Sequence, residues 1–237
     1  MTALVGEVRA REALCPRDAE AMLSLMRRHF HEVHDEVFLR DLAEKDRVIL
    51  LRDPRGAVRG FSTMQVSREA LGGTPATVVF SGDTVVDRDA WGSPVLPQTW
   101  LRAVLEVGAS TPDERLYWLL ICSGYRTYRF LPLFYREFWP RHDAPTPPPI
   151  RAAMERLARR RYGARYAGGV VRFPDGAHVR SEVGGLTPAR LRNPHVAFFA
   201  RQNPGHTAGD ELVCLAEVCR ENFTPAAMRM LRAVGGG

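Results

Sequence analysis

The stretch from residue 77 to residue 122 constrains the fold of this 237-residue chain more than any other. It begins with "TVVFSGDTVV", a β-branched and apolar run that is typical of a buried strand. A loop leads into "VLPQTWLRAVLEVG", whose apolar residues recur at helical spacing, and "RLYWLLIC" follows as a second buried strand. Two strands joined through a helix predict a parallel pair, so we expect an α/β protein with a mixed sheet flanked by helices.

The residues before this stretch predict two helices and an antiparallel hairpin. "PRDAEAMLSLMRRHF" places Met22, Leu23 and Met26 on one side, which indicates a helix over 16–30, and a second helix is predicted over 31–44. "DRVILLRD" and "AVRGFSTMQVS" are strand-like runs joined by the turn sequence "DPRG". The order is therefore helix, helix, strand, strand, strand, loop, helix, strand, and then a helix predicted over 125–138.

Beyond Trp139 the composition changes at "PRHDAPTPPPI", whose five prolines predict an extended connection. A basic helix "IRAAMERLARRRYGARY" follows, then a strand, a turn and a second strand over 168–185, two short helices, a last strand "ELVCLAEVC" and a short terminal helix. We interpret residues 1–140 as the core, and residues 141–237 as a connection, a helical cap over 146–204 and a C-terminal strand that complete the same domain.

The charge balance is basic, and almost entirely through arginine. Net charge is +6 with a pI near 9.5, and Lys45 is the only lysine. Guanidinium groups grip phosphates and carboxylates bidentately, so the surface suits an acidic carrier protein, a phosphate-bearing ligand or nucleic acid. Nucleic acid is the less favoured partner, because no basic repeat, zinc pattern or RNA-binding aromatic motif is present.

Metal, disulfide and membrane functions are not favoured by the sequence. Four cysteines form no CxxC pair, and the histidines at 29, 31 and 34 lack the HExxH spacing of a zinc site. No apolar run reaches the roughly 20 residues that cross a bilayer, and the first residues do not resemble a secretory signal. We therefore expect a cytoplasmic protein without a metal.

The hairpin "RVILLRDPRGAVRGFSTM", the long strand ending "DTVVDRDAWGSPVL", and the run "YWLLICSGYRTYRFLPLFYREF" occur in an order that resembles the GNAT acyltransferase fold. The resemblance covers about residues 15–139. It implies that the backbone of the first central strand pairs with the pantetheine arm of an acyl thioester, and that two further antiparallel strands complete the sheet. It also implies a following loop whose amides hold the pyrophosphate of coenzyme A.

That loop departs from the family pattern. Trp91 stands where the family has an arginine or glutamine, Pro94 and Leu96 replace small residues, and Gly92 alone is retained. Proline has no N–H to donate, so we expect a weaker grip on pyrophosphate and a donor that is either acyl coenzyme A or an acyl carrier protein. The resemblance, with the nearby basic residues, assigns donor contacts to Val85, Val86, Arg88, Trp91, Gly92, Ser93, Arg126 and Arg129.

Asp83 is the candidate general base, because a carboxylate among apolar strand residues is either paired or has a raised pKa. The alternative is a turn-stabilising aspartate after Gly82. The resemblance gives the backbone N–H of Val85 or Val86 the role of polarising the thioester carbonyl, and it makes Tyr125 and Tyr128 candidate acids. Ser123 is the weaker candidate acid.

Together these features predict an N-acyltransferase that moves an acyl group, fatty acyl groups included, from a pantetheine thioester to an amine of a small molecule or peptide. A catalytically inactive GNAT-fold binding protein is the alternative, because the phosphate loop is altered.

Overall fold

The structure, a computed structural model, describes residues 3–173, 178–179 and 185–235. Its strands are β1 (Val5–Ala10), β2 (Phe30–His31), β3 (Arg47–Arg52), β4 (Val58–Leu71), β5 (Thr74–Val86), β6 (Arg115–Cys122), β7 (Tyr166–Ala167), β8 (Val170–Val171), β9 (His178–Val179) and β10 (Glu211–Glu217). Its helices are α1 (Pro16–His29), α2 (Asp35–Ala43), α3 (Val95–Ser110), α4 (Tyr125–Tyr128), α5 (Phe130–Phe134), α6 (Pro148–Tyr162), α7 (Pro188–Leu191), α8 (Pro194–Gln202) and α9 (Pro225–Gly235).

Within the described residues, eight strands form one mixed sheet in the order β1-β3-β4-β5-β6-β10-β8-β7. β5 and β6 are parallel neighbours, paired from Ala76 with Arg115 to Ser81 with Leu120, and the other pairs are antiparallel. The predicted parallel pair and the GNAT-like mixed sheet are thereby confirmed. β10 pairs antiparallel with β6, as expected for a strand that completes this sheet.

A β-bulge interrupts the pairing of β4 with β5. Ser62 lies opposite Thr84 and Met64 lies opposite Ser81, so Gly82 and Asp83 together face the single residue between them on β4. A bulge bends its strand and increases the local twist. β5 therefore changes direction at the residue where its pairing with β6 ends.

Helices cover both faces of the sheet. On one face, α3 buries Trp100 and Leu101 against β5 and β6, and the aromatic residues of α4 and α5 extend the same core. On the other face, α6 covers β5 and β6, while α1 and α2 cover β3 and β4. None of the described helices is long and apolar enough to span a membrane.

Three local predictions were wrong. The edge strand β1 was not predicted, and the second helix begins at Asp35 rather than at residue 31, because Phe30 and His31 pair with β9. The helix expected over 125–138 divides into α4 and α5. It ends at Phe134 because Trp139 exchanges two backbone hydrogen bonds of 2.8 Å with Leu215.

The segment 168–185 is described only in part. Val170 and Val171 form β8 beside β10, and His178 and Val179 form β9. The turn predicted over 174–177 and the strand end over 180–184 lie outside the described residues.

The Ser81 hydroxyl is hydrogen-bonded to two buried tryptophans, next to the point where β5 and β6 separate. Its Oγ accepts hydrogen bonds from Trp118 Nε1 at 2.8 Å and from Trp100 Nε1 at 3.2 Å. In Ser81→Ala both indole N–H groups lose their partner, which should cost about 2 kcal/mol of unfolding free energy and lower Tm by about 4–8 °C. Ser67→Ala, at an exposed position of β4, is the matched control and should change Tm by less than about 2 °C in calorimetry. Equal effects of the two variants would contradict a structural role for the Ser81 hydroxyl.

Candidate functional site

A cavity of about 440 Å³ opens where β5 and β6 diverge. Its walls are the end of β5, the loop before α3, the first turn of α3, and the segment that runs from β6 into α5. The candidate residues that line it are Val85, Val86, Trp91, Gly92, Ser93, Ser123, Tyr125, Arg126 and Arg129. The fold therefore brings nine of the twelve sequence-predicted site residues to one cleft.

The loop before α3 uses most of its own amides. Trp91 N–H donates to Arg88 O at 3.1 Å, Ser93 N–H donates to Ala90 O at 3.2 Å, and Val95 N–H donates to Ser93 Oγ at 3.3 Å. Pro94 and Pro97 have no N–H to offer. Gly92, with φ of +85°, allows the turn. Few amides of this loop remain for a phosphate group.

Guanidinium groups surround the same loop. The Arg126 guanidinium carbon lies 4.1 Å from the Trp91 ring centroid, and that of Arg88 lies 5.9 Å from it. Arg129, which follows α4, also lines the cavity. Arg88 is outside the lining, so its link to the cleft is through Trp91. The cleft mouth is therefore positively charged through side chains.

The backbone of β5 offers one of the two candidate amides to the cleft. Asp87 N–H donates to Arg59 O on β4 at 2.8 Å, and donors alternate along an antiparallel ladder. Val85 N–H accordingly points toward β4, and Val86 N–H points toward the cleft. The carbonyl of Val86 accepts a hydrogen bond from Trp91 Nε1 at 2.9 Å, which is consistent with this direction.

The two tyrosines differ in access to the cavity. Tyr125 begins α4 and lines the cavity. Tyr128 is fully buried, its hydroxyl donates to Pro140 O at 2.9 Å, and burial raises its pKa well above the usual value. Tyr128 therefore does not line the cleft, whereas Tyr125 and Ser123 do, and a role for any of the three as the acid stays a prediction.

A smaller void of about 30 Å³ lies deeper, between the diverging strands. Trp100, Trp118, Phe130 and Phe134 contribute aromatic walls, and Thr84 also lines the larger cavity. This volume accommodates about two water molecules. A chemical group that entered this void from the larger cavity would contact these aromatic rings.

Asp83 lies in the bulge, on the face of the sheet that carries α2 and α6. Its carboxylate has no hydrogen bond or ion pair among the described residues. Burial, together with the negative charge of Asp41, raises the pKa of Asp83 to about 7, while Lys45 opposes that rise. A carboxyl with this pKa exchanges protons near neutral pH, as a general base must.

Several residues of this region were not found from the sequence. Lys45 has a side chain with no exposure, and its Nζ donates to Asp41 Oδ1 at 2.6 Å. Glu211, the first residue of β10, has its pKa raised to about 8 by burial and by the charges of Asp83 and Asp41. The sequence carried one sign of this region, which is that Lys45 is the only lysine of the chain.

His29 also lines the cavity and was interpreted from the sequence only as part of a metal pattern that we did not favour. Its Nε2 lies 3.5 Å from Asp87 Oδ1, and burial lowers the pKa of its imidazole. Within the part of the chain that the structure describes, no group of three or more His, Cys, Asp or Glu residues is arranged to hold a metal ion.

Known structures resemble parts of this chain. A conserved protein of unknown function from Enterococcus faecalis V583, described as a probable N-acyltransferase, is 11% identical with a TM-score of 0.44. That match covers 56% of this chain and only 33% of the Enterococcus chain. A GNAT family N-acetyltransferase from Escherichia coli, solved with CoA, is 19% identical with a TM-score of 0.39, covering 55% of this chain and 69% of that one.

A third structure, glucosamine-6-phosphate N-acetyltransferase from Arabidopsis thaliana, is 15% identical with a TM-score of 0.39, and the match covers 53% of this chain and 87% of that chain. No family model matches the chain, and no curated protein matches it. Likenesses this distant carry no argument about the reaction, so a functional argument has to rest on the geometry of the cleft.

The raised pKa of Asp83 predicts a pH-dependent stability difference. The folded state binds the Asp83 proton more tightly than the unfolded state, so stability is complete below about pH 4 and declines as pH rises to about 7. Asn cannot ionise, so the variant Asp83→Asn does not undergo this loss of stability. Its Tm should exceed that of wild type by a margin that grows by about 5 °C between pH 5 and pH 8 in calorimetry, because only part of the loss is present at pH 5. Asp113→Asn, on the surface, should show no such trend, and a constant Tm difference for Asp83→Asn would contradict the raised pKa.

Proposed function

We propose that the chain is an N-acyltransferase that moves an acyl group from a pantetheine thioester to an amine. The observation that carries the proposal is the pairing of two features at one break in the sheet. A cleft with unpaired β5 backbone opens on one side, and a carboxyl that titrates near neutral pH lies at the bulge. Acyl transfer to an amine needs both a polarised carbonyl and a base.

In this mechanism Asp83 takes the proton of an ammonium or amine, directly or through one water. The free amine attacks the thioester carbonyl carbon, and Val86 N–H donates to the oxyanion that forms. The intermediate collapses with cleavage of the carbon–sulfur bond. The leaving thiolate takes a proton from the Tyr125 hydroxyl or from water, which regains a proton as the attacking nitrogen loses its own, and the products are the amide and the free thiol.

The proposed donor is acyl coenzyme A or an acyl carrier protein. The pantetheine arm would pair with the β5 backbone beyond Ser81, where β6 no longer supplies partners. Arg126 and Arg129, with Arg88 behind Trp91, would hold the donor's phosphate. A guanidinium can do this because it offers paired donors at a fixed spacing.

The proposed acyl group is short. The void between the strands is about 30 Å³ and has aromatic walls, which fits the methyl group of an acetyl donor. A fatty acyl chain, considered from the sequence, would have to lie instead in the larger cavity that the pantetheine arm needs. We therefore prefer acetyl or propionyl groups.

The role of Asp83 is tested by Asp83→Asn. We expect kcat/KM for transfer to amines, measured as release of free thiol, to fall on the order of 10²-fold or more, the scale of a positioned general base. In wild type the rate should rise with pH through about 7, as the Asp83 carboxylate forms, and this ascending limb should disappear in the variant.

Asp113→Asn is the control and should keep both the rate and the pH profile. Turnover of Asp83→Asn within threefold of wild type would return Asp83 to a turn-stabilising role. Donor binding without transfer to any amine, in wild type, would instead favour the inactive binding protein.

The donor contacts are tested by binding. In Arg126→Ala the Kd for acetyl coenzyme A, measured by calorimetry, should rise about tenfold, as expected for loss of one charge-assisted contact. An acyl carrier protein should bind more tightly than acetyl coenzyme A and lose affinity more steeply with salt, because the Debye length is about 8 Å at physiological ionic strength.

Arg220→Ala, exposed near the opposite edge of the sheet, is the matched control and should leave both Kd values unchanged. Tighter binding of acetyl coenzyme A than of the carrier protein would contradict the carrier donor. An unaltered Kd in Arg126→Ala would contradict the arginine contact.

A further inference from the structure

We propose that the face of the sheet opposite the donor cavity binds an acceptor with two ammonium groups, an alkyl diamine or polyamine, between Asp83 and Glu211. This inference rests on the proposed acyl transfer and goes further by naming the acceptor class. The donor cavity opens among the residues of α3 and α4, whereas Asp83 lies on the face that carries α2 and α6. The donor would occupy one face of the sheet where β5 and β6 separate. The opposite face at the same point therefore remains available to the acceptor.

Topology brings the two carboxylates to one edge of the sheet. β10 runs antiparallel to β6 with Leu212 opposite Cys122, so Glu211 lies beside the carboxyl end of β6. Val213 and Leu215 share its side of the strand and pack against α6. Asp83 flanks the other side of β6, two residues beyond the last paired residue of β5.

Both carboxylates are partly buried, and neither side chain has a hydrogen bond or ion pair among residues 3–173, 178–179 and 185–235. Unpartnered carboxylates in such a place are costly unless a cation or a proton neutralises them. In keeping with this, burial and the charge of Asp41 raise the pKa of Asp83 to about 7, and burial with the charges of Asp83 and Asp41 raises the pKa of Glu211 to about 8. A bound ammonium would restore the ionised form.

A buried hydroxyl is an independent sign of a ligand. Thr63 is 1% exposed, and its Oγ1 has no partner among the described residues. A Cβ atom added at Gly82 would lie 2.6 Å from this oxygen and 3.3 Å from Lys45 Nζ. Glycine therefore lets Thr63 and Lys45 approach the β5 backbone closely beside Asp83. A ligand ammonium that reached this point could donate to Thr63 Oγ1.

The cations already present neutralise these carboxylates only in part, because Lys45 offsets some of the rise in the Asp83 pKa and no cation of the described residues offsets that of Glu211. Lys45 Nζ is bonded to Asp41, and it lies 5.5 Å from the Phe80 ring centroid. The guanidinium of Arg161 donates to Gln65 and lies 3.8 Å from the same ring. Phe80 is thus in contact with the two cations of this region, and negative charge at Asp83 and Glu211 remains for a cationic ligand.

The test compares two amines of equal chain length, 1,4-diaminobutane and n-butylamine, with acetyl coenzyme A at pH 8. In wild type the diamine should have a KM at least about tenfold lower than the monoamine, as one additional charge-assisted contact provides. Glu211→Gln should raise KM for the diamine with little change in kcat, and should reduce the discrimination between the amines to within about twofold.

Two further variants keep the test decisive. Glu211→Asp retains the charge and should retain most of the discrimination, while Glu221→Gln, on the surface, should leave it at the wild-type value. Calorimetry gives the Kd of the diamine without any transfer. Diamine binding that depends on Glu211 but leads to no transfer supports the cationic site and contradicts the proposed reaction. Transfer to both amines at equal KM, or discrimination that persists in Glu211→Gln, overturns the cationic site alone.

Discussion

The pairing of β5 with β6 ends at Ser81 and Leu120, although both strands continue beyond those residues. Two features hold the strands apart. The bulge at Gly82 and Asp83 bends β5, and the indoles of Trp100 and Trp118 fill the wedge below while both donate to Ser81 Oγ. Beyond this point β5 remains paired with β4, but its backbone groups that face β6 lack a strand partner, and buried backbone groups need one. The cavity, its amide at Val86 and the position of Asp83 all follow from this one interruption.

The same interruption separates two chemical environments. The face that carries α3 and α4 has an apolar cavity with arginines at its mouth. The face that carries α2 and α6 has the carboxylates, and the only lysine is held there by Asp41. In the proposed reaction the sheet acts as a partition, because an anionic donor and a cationic acceptor are attracted to opposite sides and meet where β5 and β6 part. Charge then determines which substrate enters from which side.

The long apolar strands and amphipathic helices could be predicted because local periodicity reflects burial. The edge strand β1 could not, since its residues are only half-buried and it is held partly by the ion pair of Glu7 with Arg52 at 2.5 Å. The segment after α5 has helical spacing but becomes extended through backbone bonds with β10, a partner 76 residues away at Leu215 and Trp139. Such pairings leave no local signal.

The residues of the candidate site also divide into those that local sequence could predict and those that it could not. Asp83 was predictable because an acidic residue interrupts a buried strand, and the loop residues were predictable from their place between strand and helix. Glu211 comes next to Asp83 only because β10 inserts beside β6, and Lys45 only because α2 ends above the bulge. Their sequence neighbourhoods are those of ordinary surface residues. Chemistry that depends on elements far apart in the chain becomes visible only when the topology is known.

Replacing loop amides by arginines changes how a donor would be recognised. Backbone amides at a helix start are fixed by the fold, so they bind phosphate with little loss of side-chain entropy. Arg126 and Arg129 are exposed and long, so ordering them costs entropy and salt screens their attraction. Such contacts favour a donor that brings further negative charge over a wide surface. In the proposed reaction this physical difference, more than any single residue, would favour a carrier-bound donor over free coenzyme A.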